Sequence, residues 1–267
     1  MNTTRPLALV TGASSGIGLE VAGQLAERGY DLVINAEDDT RLRQAAQRIR
    51  AAGAATVETV RADLRLPQQA EALFTTATTP GRPLDVVVLN AGVGQGGAFK
   101  DTDLADELEI IDLNVRSTVQ LAKYAVRDMA ARDDGRILVT SSIASTMPGS
   151  FQAVYNASKS FLQSFTQALQ NELKDTGVTL TSFMPGPTET DFFHRADMDD
   201  TRIGQQDKDD PAQVARQALD ALFAGKDKIV TGSAKTKAQG LADKVLPDKL
   251  KGELHRKMAE PGSGDQE

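Results

Sequence analysis

Residues 7–18 read LALVTGASSGIG, a short apolar run that leads into a turn containing three glycines. Leu7–Val10 has the character of a buried strand, and from Ile17 onward apolar residues recur at helical spacing. The stretch therefore predicts a strand, a tight turn and a helix in direct succession. Glycines at 12, 16 and 18 let the backbone approach a ligand closely, because no Cβ intervenes. The helix then points free N–H groups at the turn, an arrangement that binds phosphate groups.

Apolar strands alternate with amphipathic helices along most of the remaining chain. The predicted strands are Leu7–Val10, Leu32–Ile34, Thr56–Val60, Leu84–Leu89, Ile137–Thr140, Val178–Phe183 and Lys228–Thr231. The predicted helices lie near 17–28, 41–52, 68–77, 103–130, 153–175 and 211–223. Because continuous apolar strands need cover on both faces, this alternation predicts a single doubly wound α/β domain. We expect a mostly parallel seven-stranded sheet with helices on both faces.

Three segments depart from this alternation. Residues 191–210 are polar and irregular, and a segment of this length is typical of a loop that closes over a substrate. The main domain is expected to span 1–232, followed by a basic C-terminal helical extension over 233–258. Residues 259–267 (AEPGSGDQE) have the composition of a flexible tail.

Composition excludes several classes of function. The chain has 267 residues, a net charge of −7 and no cysteine. The negative charge disfavours nucleic acid and membrane surfaces as partners, and no apolar run approaches the roughly 20 residues of a membrane span. Without cysteine there are neither disulfides nor thiolate metal sites, and we expect no metal at the site. The N-terminus lacks signal-peptide architecture, so a cytoplasmic location is expected.

Several motifs together resemble those of the short-chain dehydrogenase/reductase family. The stretch TGASSGIG is similar to the family's TGxxxGxG turn. The similarity continues in the family's order and spacing over roughly residues 5–232, through Leu89-Asn90-Ala91-Gly92, Asn114, Ser142, the YxxxK motif Tyr155-Asn156-Ala157-Ser158-Lys159, and Pro185-Gly186. The resemblance implies a Rossmann-like fold and an oxidoreductase that transfers hydride between a nicotinamide cofactor and a carbonyl or secondary-alcohol substrate.

The proton chemistry is expected at Tyr155 and Lys159, which lie four residues apart on one helix face. A free tyrosine titrates near 10, and a neighbouring ammonium together with an oxidised nicotinamide would lower this pKa. The pair can then give a proton to a carbonyl oxygen or take one from an alcohol. The resemblance adds Ser142 as the hydroxyl that binds the substrate oxygen; Ser141 is the neighbouring alternative, one residue out of register.

The resemblance also implies a role for Asn114 and a set of cofactor contacts. Asn114 matches an asparagine that kinks its helix and holds a water on the path to the lysine; ordinary hydrogen bonding in the core is the alternative. Asp63 and Leu64 match adenine contacts, and Thr188 matches the residue that fixes the nicotinamide carboxamide, although it could also cap a helix. The predicted cofactor-binding residues are Gly12, Ser14, Ser15, Gly16, Ile17, Gly18, Glu37, Asp63, Leu64, Asn90, Ala91, Gly92, Tyr155, Lys159, Pro185, Gly186 and Thr188.

The end of the second predicted strand favours NAD over NADP. An acidic side chain there binds the ribose hydroxyls, whereas a basic one holds a 2′-phosphate. Glu37 and Ser15 occupy positions where NADP-dependent members usually place a basic residue. The usual NAD-selecting aspartate would fall at Ala36, however, and Arg41 or Arg43 could reach a phosphate, so NADP is not excluded.

The substrate pocket is expected to be mostly apolar and to take a neutral carbonyl or alcohol. Its predicted contributors are Val93, Gly94, Gln95, Ala144, Met147, Phe151, Met184 and Phe192, with no lysine or arginine aimed inward. His194 is a weaker candidate for a second base than for a solvated loop residue.

We expect a homodimer or homotetramer through the helices near 103–130 and 153–175. Two alternatives are a catalytically silent nucleotide-binding sensor or scaffold and a sugar-nucleotide epimerase or dehydratase.

Overall fold

The computed structural model describes residues 5–53, 56–79, 81–242 and 246–265. Seven strands form one sheet in the order β3-β2-β1-β4-β5-β6-β7, and every neighbouring pair is parallel. The strands are β1 Leu7–Thr11, β2 Asp31–Ala36, β3 Val57–Arg61, β4 Val86–Leu89, β5 Gly135–Thr140, β6 Val178–Pro185 and β7 Lys228–Thr231. The predicted parallel seven-stranded sheet is confirmed, with boundaries that differ by a few residues.

Helices cover both faces of the sheet. They are α1 Gly16–Glu27, α2 Asp39–Gly53, α3 Pro67–Thr78, α4 Leu104–Ile110, α5 Ser117–Ala131, α6 Ala153–Glu172, α7 Phe192–Arg195, α8 Arg202–Gln205, α9 Pro211–Phe223, α10 Ala234–Ala242 and α11 Asp248–Ala259. One buried apolar cluster joins α1, α2 and α9 to the sheet, and a second joins α3, α5 and α6 to its other face. Strands β1 and β4 supply both clusters, which is why they read as continuous apolar runs.

The predicted helix over 103–130 contains a π-helical turn, Ile111–Arg116, between α4 and α5. Such turns insert one extra residue into a helix and are frequent at functional sites. Asn114 lies within this turn and is fully buried. The irregularity that the family resemblance implies at Asn114 is therefore present as a π turn.

The C-terminal segment is more ordered than its composition predicts. Instead of one helix near 235–258, the structure has α10 and α11, and residues up to Asp265 pack where a flexible tail is predicted. Ser263 is buried and accepts a hydrogen bond from the Arg202 backbone (3.1 Å), while its own carbonyl accepts one from Arg202 Nε (3.0 Å). Gly262 N donates to Asp200 Oδ2 at 2.7 Å. The two residues of each contact are about sixty positions apart in the sequence, so local composition does not reveal these contacts.

Candidate active site

The glycine turn between β1 and α1 is fastened to the end of β4. The side chain of Asn90 donates to the carbonyls of Thr11 (3.1 Å) and Gly12 (3.3 Å). In return, the hydroxyl of Thr11 accepts from the backbone N–H groups of Asn90 (2.9 Å) and Ala91 (3.1 Å). The turn is thus held rigidly at the carboxyl edge of the sheet. Thr11 was not among the predicted site residues, although it opens the TG motif.

The glycines of the turn have no room for a side chain, because other protein atoms pack closely against them. Their absence of a Cβ lets the backbone of the turn lie close to a ligand. A Cβ on Gly18 would lie 2.2 Å from the carbonyl oxygen of Gly12 and 2.5 Å from Asn90 Nδ2. Gly12 and Gly16 have φ values of +64° and +55°, which L side chains rarely adopt. Ser15, the N-cap residue of α1, makes no side-chain capping hydrogen bond. The first N–H groups of α1 therefore remain available for a pyrophosphate.

Arg65 organises the acidic side chains beside this turn. It forms ion pairs with Glu37 (2.6 Å), Asp63 (2.8 Å) and Glu109 (2.6 Å). Burial opposes ionisation of Asp63, but the hydrogen bonds from Arg65 outweigh it and lower the pKa of the carboxyl group. Glu37 and Asp63 thus present fixed negative charge next to the end of β2. Sequence reasoning missed Arg65, because its partners come from three separate segments.

Asn114 supports the wall of the site from behind. Its side chain accepts a hydrogen bond from Val93 N and donates one to Val93 O, both at 2.9 Å. It also donates to Ser158 Oγ at 3.0 Å. Asn114 does not itself line the cavity; it fixes Val93, which does.

Ser142, Tyr155 and Lys159 converge at the carboxyl ends of β4 and β5. Ser142 hydrogen-bonds with Tyr155, and Lys159 Nζ donates to the carbonyl of Thr140 at 3.0 Å. Lys159 Nζ lies 5.8 Å from the centre of the Tyr155 ring. Ser141 instead donates its hydroxyl to the carbonyl of Lys159 (3.1 Å), so it braces α6 while Ser142 faces the tyrosine.

Burial dominates the acid–base properties of this pair. It raises the pKa of Tyr155 to about 12, against the opposing effect of the Ser142 hydrogen bond. Burial also lowers the pKa of Lys159 to about 8. The sequence-based expectation was a lowered tyrosine pKa, and in the protein alone the direction is opposite because the desolvation of the phenolate is the larger effect.

A single cavity of about 830 Å³ connects these features. Every predicted cofactor-binding residue lines it, as do Ser142, Tyr155 and Lys159. Pro185, Gly186 and Thr188 form the lining where β6 ends, and Thr188 donates its hydroxyl to the carbonyl of Gly186 (2.9 Å) instead of capping a helix.

The predicted substrate contacts divide into two groups. Val93, Ala144, Met147 and Phe192 line the cavity, and the Phe192 ring lies 5.2 Å from the Tyr155 ring. Gly94, Gln95, Phe151 and Met184 do not line it. Gln95 donates to Asp197 and Gly96, the ring of Phe151 lies beneath Arg256, and Met184 is buried in β6.

The expectation of a pocket without inward basic residues was wrong. Arg195, Arg202, Lys235, Lys251 and Lys257 also line the cavity, and three of them come from the segment after β7. His194 lies in the short helix α7 instead of a loop, but it is largely exposed and pairs with Asp199 (2.6 Å), as expected for a solvated residue. The other histidine, His255, lines the cavity instead.

The fold and the site together define a class of protein. A doubly wound sheet binds a dinucleotide at the carboxyl ends of its strands, and here the glycine turn, the uncapped helix and a tyrosine–lysine pair share one cavity at that edge. This class is the nicotinamide-dependent oxidoreductases. No helix in the described ranges is long and apolar enough to cross a membrane.

Comparisons with known proteins place the chain within this class. The family model described as short chain dehydrogenase matches residues 6–201. An uncharacterized oxidoreductase from Staphylococcus saprophyticus is 32% identical over 216 residues, which cover 81% of this chain and 90% of the relative. A short-chain dehydrogenase from Sphingobium yanoikuyae, solved in complex with NADPH, is 28% identical with a TM-score of 0.79 and covers 84% of this chain and 87% of its own.

A third similar protein extends the likeness in fold. A short-chain dehydrogenase/reductase from Burkholderia phymatum, solved in complex with NAD, superimposes with a TM-score of 0.83 at 23% identity, covering 98% of this chain and 99% of its own. The chain belongs to the short-chain dehydrogenase/reductase family. It is an NAD(P)-dependent oxidoreductase that acts on the carbonyl/alcohol couple.

Proposed function

We propose that Tyr155 is the general acid and base of this oxidoreductase, with Ser142 and Lys159 completing the catalytic set and Asn114 positioning it. The observation that carries the proposal is that Ser142, Tyr155 and Lys159 face the same cavity as the glycine turn. A bound nicotinamide supplies or accepts the hydride. The protein's own residues then have to orient the substrate oxygen and move one proton.

Each polar group has a distinct task in this proposal. The Ser142 hydroxyl can donate to the substrate oxygen while it also bonds with Tyr155. The raised pKa keeps Tyr155 protonated at neutral pH, so it can give its proton to the carbonyl oxygen during reduction. Lys159, with a pKa near 8, can stabilise the resulting phenolate as an ammonium. Asn114 is a positioning residue, because it acts through Val93.

Replacing Tyr155 with phenylalanine tests the assignment. The variant should lose roughly 10²-fold to 10⁴-fold in kcat, while fluorescence titration shows cofactor binding close to wild type. Tyr30→Phe is the matched control, because Tyr30 packs against Phe223 outside the cavity. Turnover by Tyr155→Phe within tenfold of wild type would refute the assignment.

We further propose that NAD is preferred over NADP. Around Arg65, three carboxylates face one guanidinium, which leaves the cluster of Glu37, Asp63, Glu109 and Arg65 with a formal charge of −2. A 2′-phosphate beside Glu37 would add like charge at short range, whereas the ribose hydroxyls of NAD can donate to the carboxylate. Arg41 is committed to Asp38 and Asp191, and Arg43 to Asp39.

The ratio of kcat/KM for NADH and NADPH measures this preference. Wild type should favour NADH, and Glu37→Arg should shift the ratio toward NADPH by about tenfold or more, since it exchanges repulsion for attraction at the phosphate. Glu58→Arg, an exposed change on β3, is the control. A wild-type preference for NADPH would contradict the proposal.

An exposed apolar face supports the proposal of a homodimer or homotetramer. Leu104, Leu108 and Ile111 are 67%, 49% and 42% exposed and lie on one side of α4 and the π turn, while Phe161 of the neighbouring α6 is 44% exposed. Light scattering should show an oligomer in the wild type, and Leu108→Lys should weaken it. A wild-type monomer at micromolar concentration would contradict this.

We also propose a cytoplasmic location, which the absence of cysteine and the net charge of −7 support. Cell fractionation with an antibody against the protein tests it.

A further inference from the structure

Helix α11 forms one wall of the cavity. This helix lies outside the part of the chain that the family model matches, because the match ends at residue 201. Lys251, Leu254, His255 and Met258 are spaced i, i+3, i+4 and i+7, so they share one helix face. All four line the cavity. Leu254 is 47% exposed although it lines the cavity, so this apolar side chain is open to a ligand.

Hydrogen bonds fix α11 to the loop that joins the two catalytic hydroxyl groups. This loop runs from Ser142 to the start of α6, just before Tyr155. Lys251 Nζ donates to the carbonyl of Thr146 at 3.2 Å. His255 Nδ1 bonds to the carbonyl of Ser150 at 3.0 Å, and Ser150 Oγ donates to the carbonyl of Gly252 at 3.4 Å. The position of α11 is therefore tied to that of the catalytic groups.

The end of α11 is held to the opposite wall of the cavity, in the segment 191–210. Ala259 packs in an apolar cluster with Phe193, Ala196 and Met198. The contacts of Ser263 with Arg202 continue this attachment. Helix α11 consequently bridges the catalytic loop and the segment 191–210, which the sequence predicts to close over the substrate.

His255 has a defined hydrogen-bonding state in this wall. It is only 6% exposed, and a carbonyl oxygen can only accept, so Nδ1 carries the proton that bonds to Ser150. Burial lowers the pKa of His255, which keeps the ring neutral at pH 7. Nε2 is then an acceptor, and no donor within the described ranges bonds to it. It is not among the buried side-chain atoms that lack a partner, so it is open to the cavity that His255 lines. A ligand that covers this acceptor without donating to it is unfavourable.

We propose that His255 Nε2, on the cavity-facing side of α11, accepts a hydrogen bond from an O–H or N–H group that the substrate carries apart from its reacting carbonyl. The carbonyl itself is engaged by Ser142 and Tyr155, so His255 contacts a second group. The substrate class is a ketone, or the matching alcohol, with a hydroxyl or secondary amide elsewhere and an apolar portion against Leu254 and Met258. This inference rests on the catalytic assignment proposed above.

Paired substrates test the inference directly. The probes are 2-alkanones that carry a terminal hydroxyl or N-methylamide two to eight carbons from the ketone. Each is paired with a capped partner, the methyl ether or the N,N-dimethylamide, which lacks the donor. Wild type should favour at least one donor probe over its capped partner by about 10-fold to 100-fold in kcat/KM, since a capped partner displaces water from Nε2 without donating to it. The hydroxyl and amide series show which donor fits.

Two variants separate substrate contact from structural support. His255→Asn keeps an N–H that can reach the carbonyl of Ser150 but removes the acceptor at Nε2. It should bring the ratio of kcat/KM for the donor probe to kcat/KM for its capped partner close to one, by lowering kcat/KM for the donor probe alone. His255→Gln, whose amide can reach the Nε2 position, should keep part of the preference and is the second variant if His255→Asn does not fold. His194→Asn, at the exposed histidine, is the control and should change kcat/KM for neither the donor probe nor its capped partner.

The outcomes are distinguishable. Equal losses on both members of each pair in His255→Asn would show a purely structural role and overturn the inference, as would a wild type without donor preference at any chain length. If Tyr155→Phe still reduces the capped ketones, the catalytic assignment fails instead, whatever the donor preference.

Discussion

Replacing Lys159 with methionine should make the protein more stable at pH 7 while it removes activity. Burial lowers the pKa of Lys159 from 10.5 to about 8. At about 1.4 kcal/mol for each pKa unit, holding the ammonium in the folded state costs roughly 3 kcal/mol. Methionine has a similar length and no charge, so it avoids this cost. It loses the hydrogen bond to the carbonyl of Thr140, worth about 1 kcal/mol. The expected net gain in the free energy of unfolding is about 2 kcal/mol.

The pH dependence of this gain identifies its origin. Below pH 8 the lysine is protonated in both the folded and the unfolded state, and the full cost is present. Between pH 8 and 10.5 the unfolded chain binds a proton that the folded protein does not, so the stability of wild type rises with pH. The gain in Lys159→Met should therefore be largest at pH 7 and shrink to zero or below as the pH approaches 10.5.

Urea unfolding of the cofactor-free proteins at pH 7, 8, 9 and 10 measures the difference. Taking wild type minus variant at each pH cancels titrations that the two proteins share. Lys123→Met, at an exposed position on α5, should show a small difference that does not vary with pH. A Lys159→Met variant that is less stable than wild type at pH 7, or a difference constant over the range, would refute the reasoning.

Three further substitutions, two of them with a control variant, probe the scaffold. Gly18→Ala should weaken cofactor binding and lower the melting temperature, because the new Cβ would clash with the carbonyl of Gly12. Gly23→Ala, on the same helix, is the control, since a Cβ there meets nothing within 4 Å. It should leave cofactor binding unchanged and leave the melting temperature unchanged or slightly higher. Asp210→Ala should cost about 1 kcal/mol in urea unfolding through the lost N-cap of α9, and Asp210→Asn should recover most of it. Phe183→Ala, in the core of β6, should cost about 3–5 kcal/mol by the same measurement.

The sheet and the cofactor end of the site were predictable because their signals are local. Each buried strand is a continuous apolar run, and the glycine turn must follow the first strand directly. Tyr155 and Lys159 are linked by helical spacing alone. Such features need no knowledge of how distant segments meet.

The features that were missed depend on contacts between distant segments. Arg65 meets Glu109, 44 residues away, and Arg202 meets Ser263, 61 residues away. The placement of His255 in the cavity depends on Ser150, 105 residues earlier. The raised pKa of Tyr155 in the cofactor-free protein could not be predicted either, because sequence spacing shows a neighbouring charge but not the degree of burial.

The π turn at 111–116 couples the length of a helix to the placement of Asn114. An α-helix turns by about 100° per residue, and the π turn takes up one extra residue without rotating α5 against the sheet. Deleting one residue within the turn therefore leaves a regular α-helix in which Leu121, Ala122, Ala125 and Met129 still face the sheet. We expect such a deletion to leave the fold intact and to lower activity, because it removes the turn that holds Asn114 against Val93. The extra residue thus serves the active site and not the core.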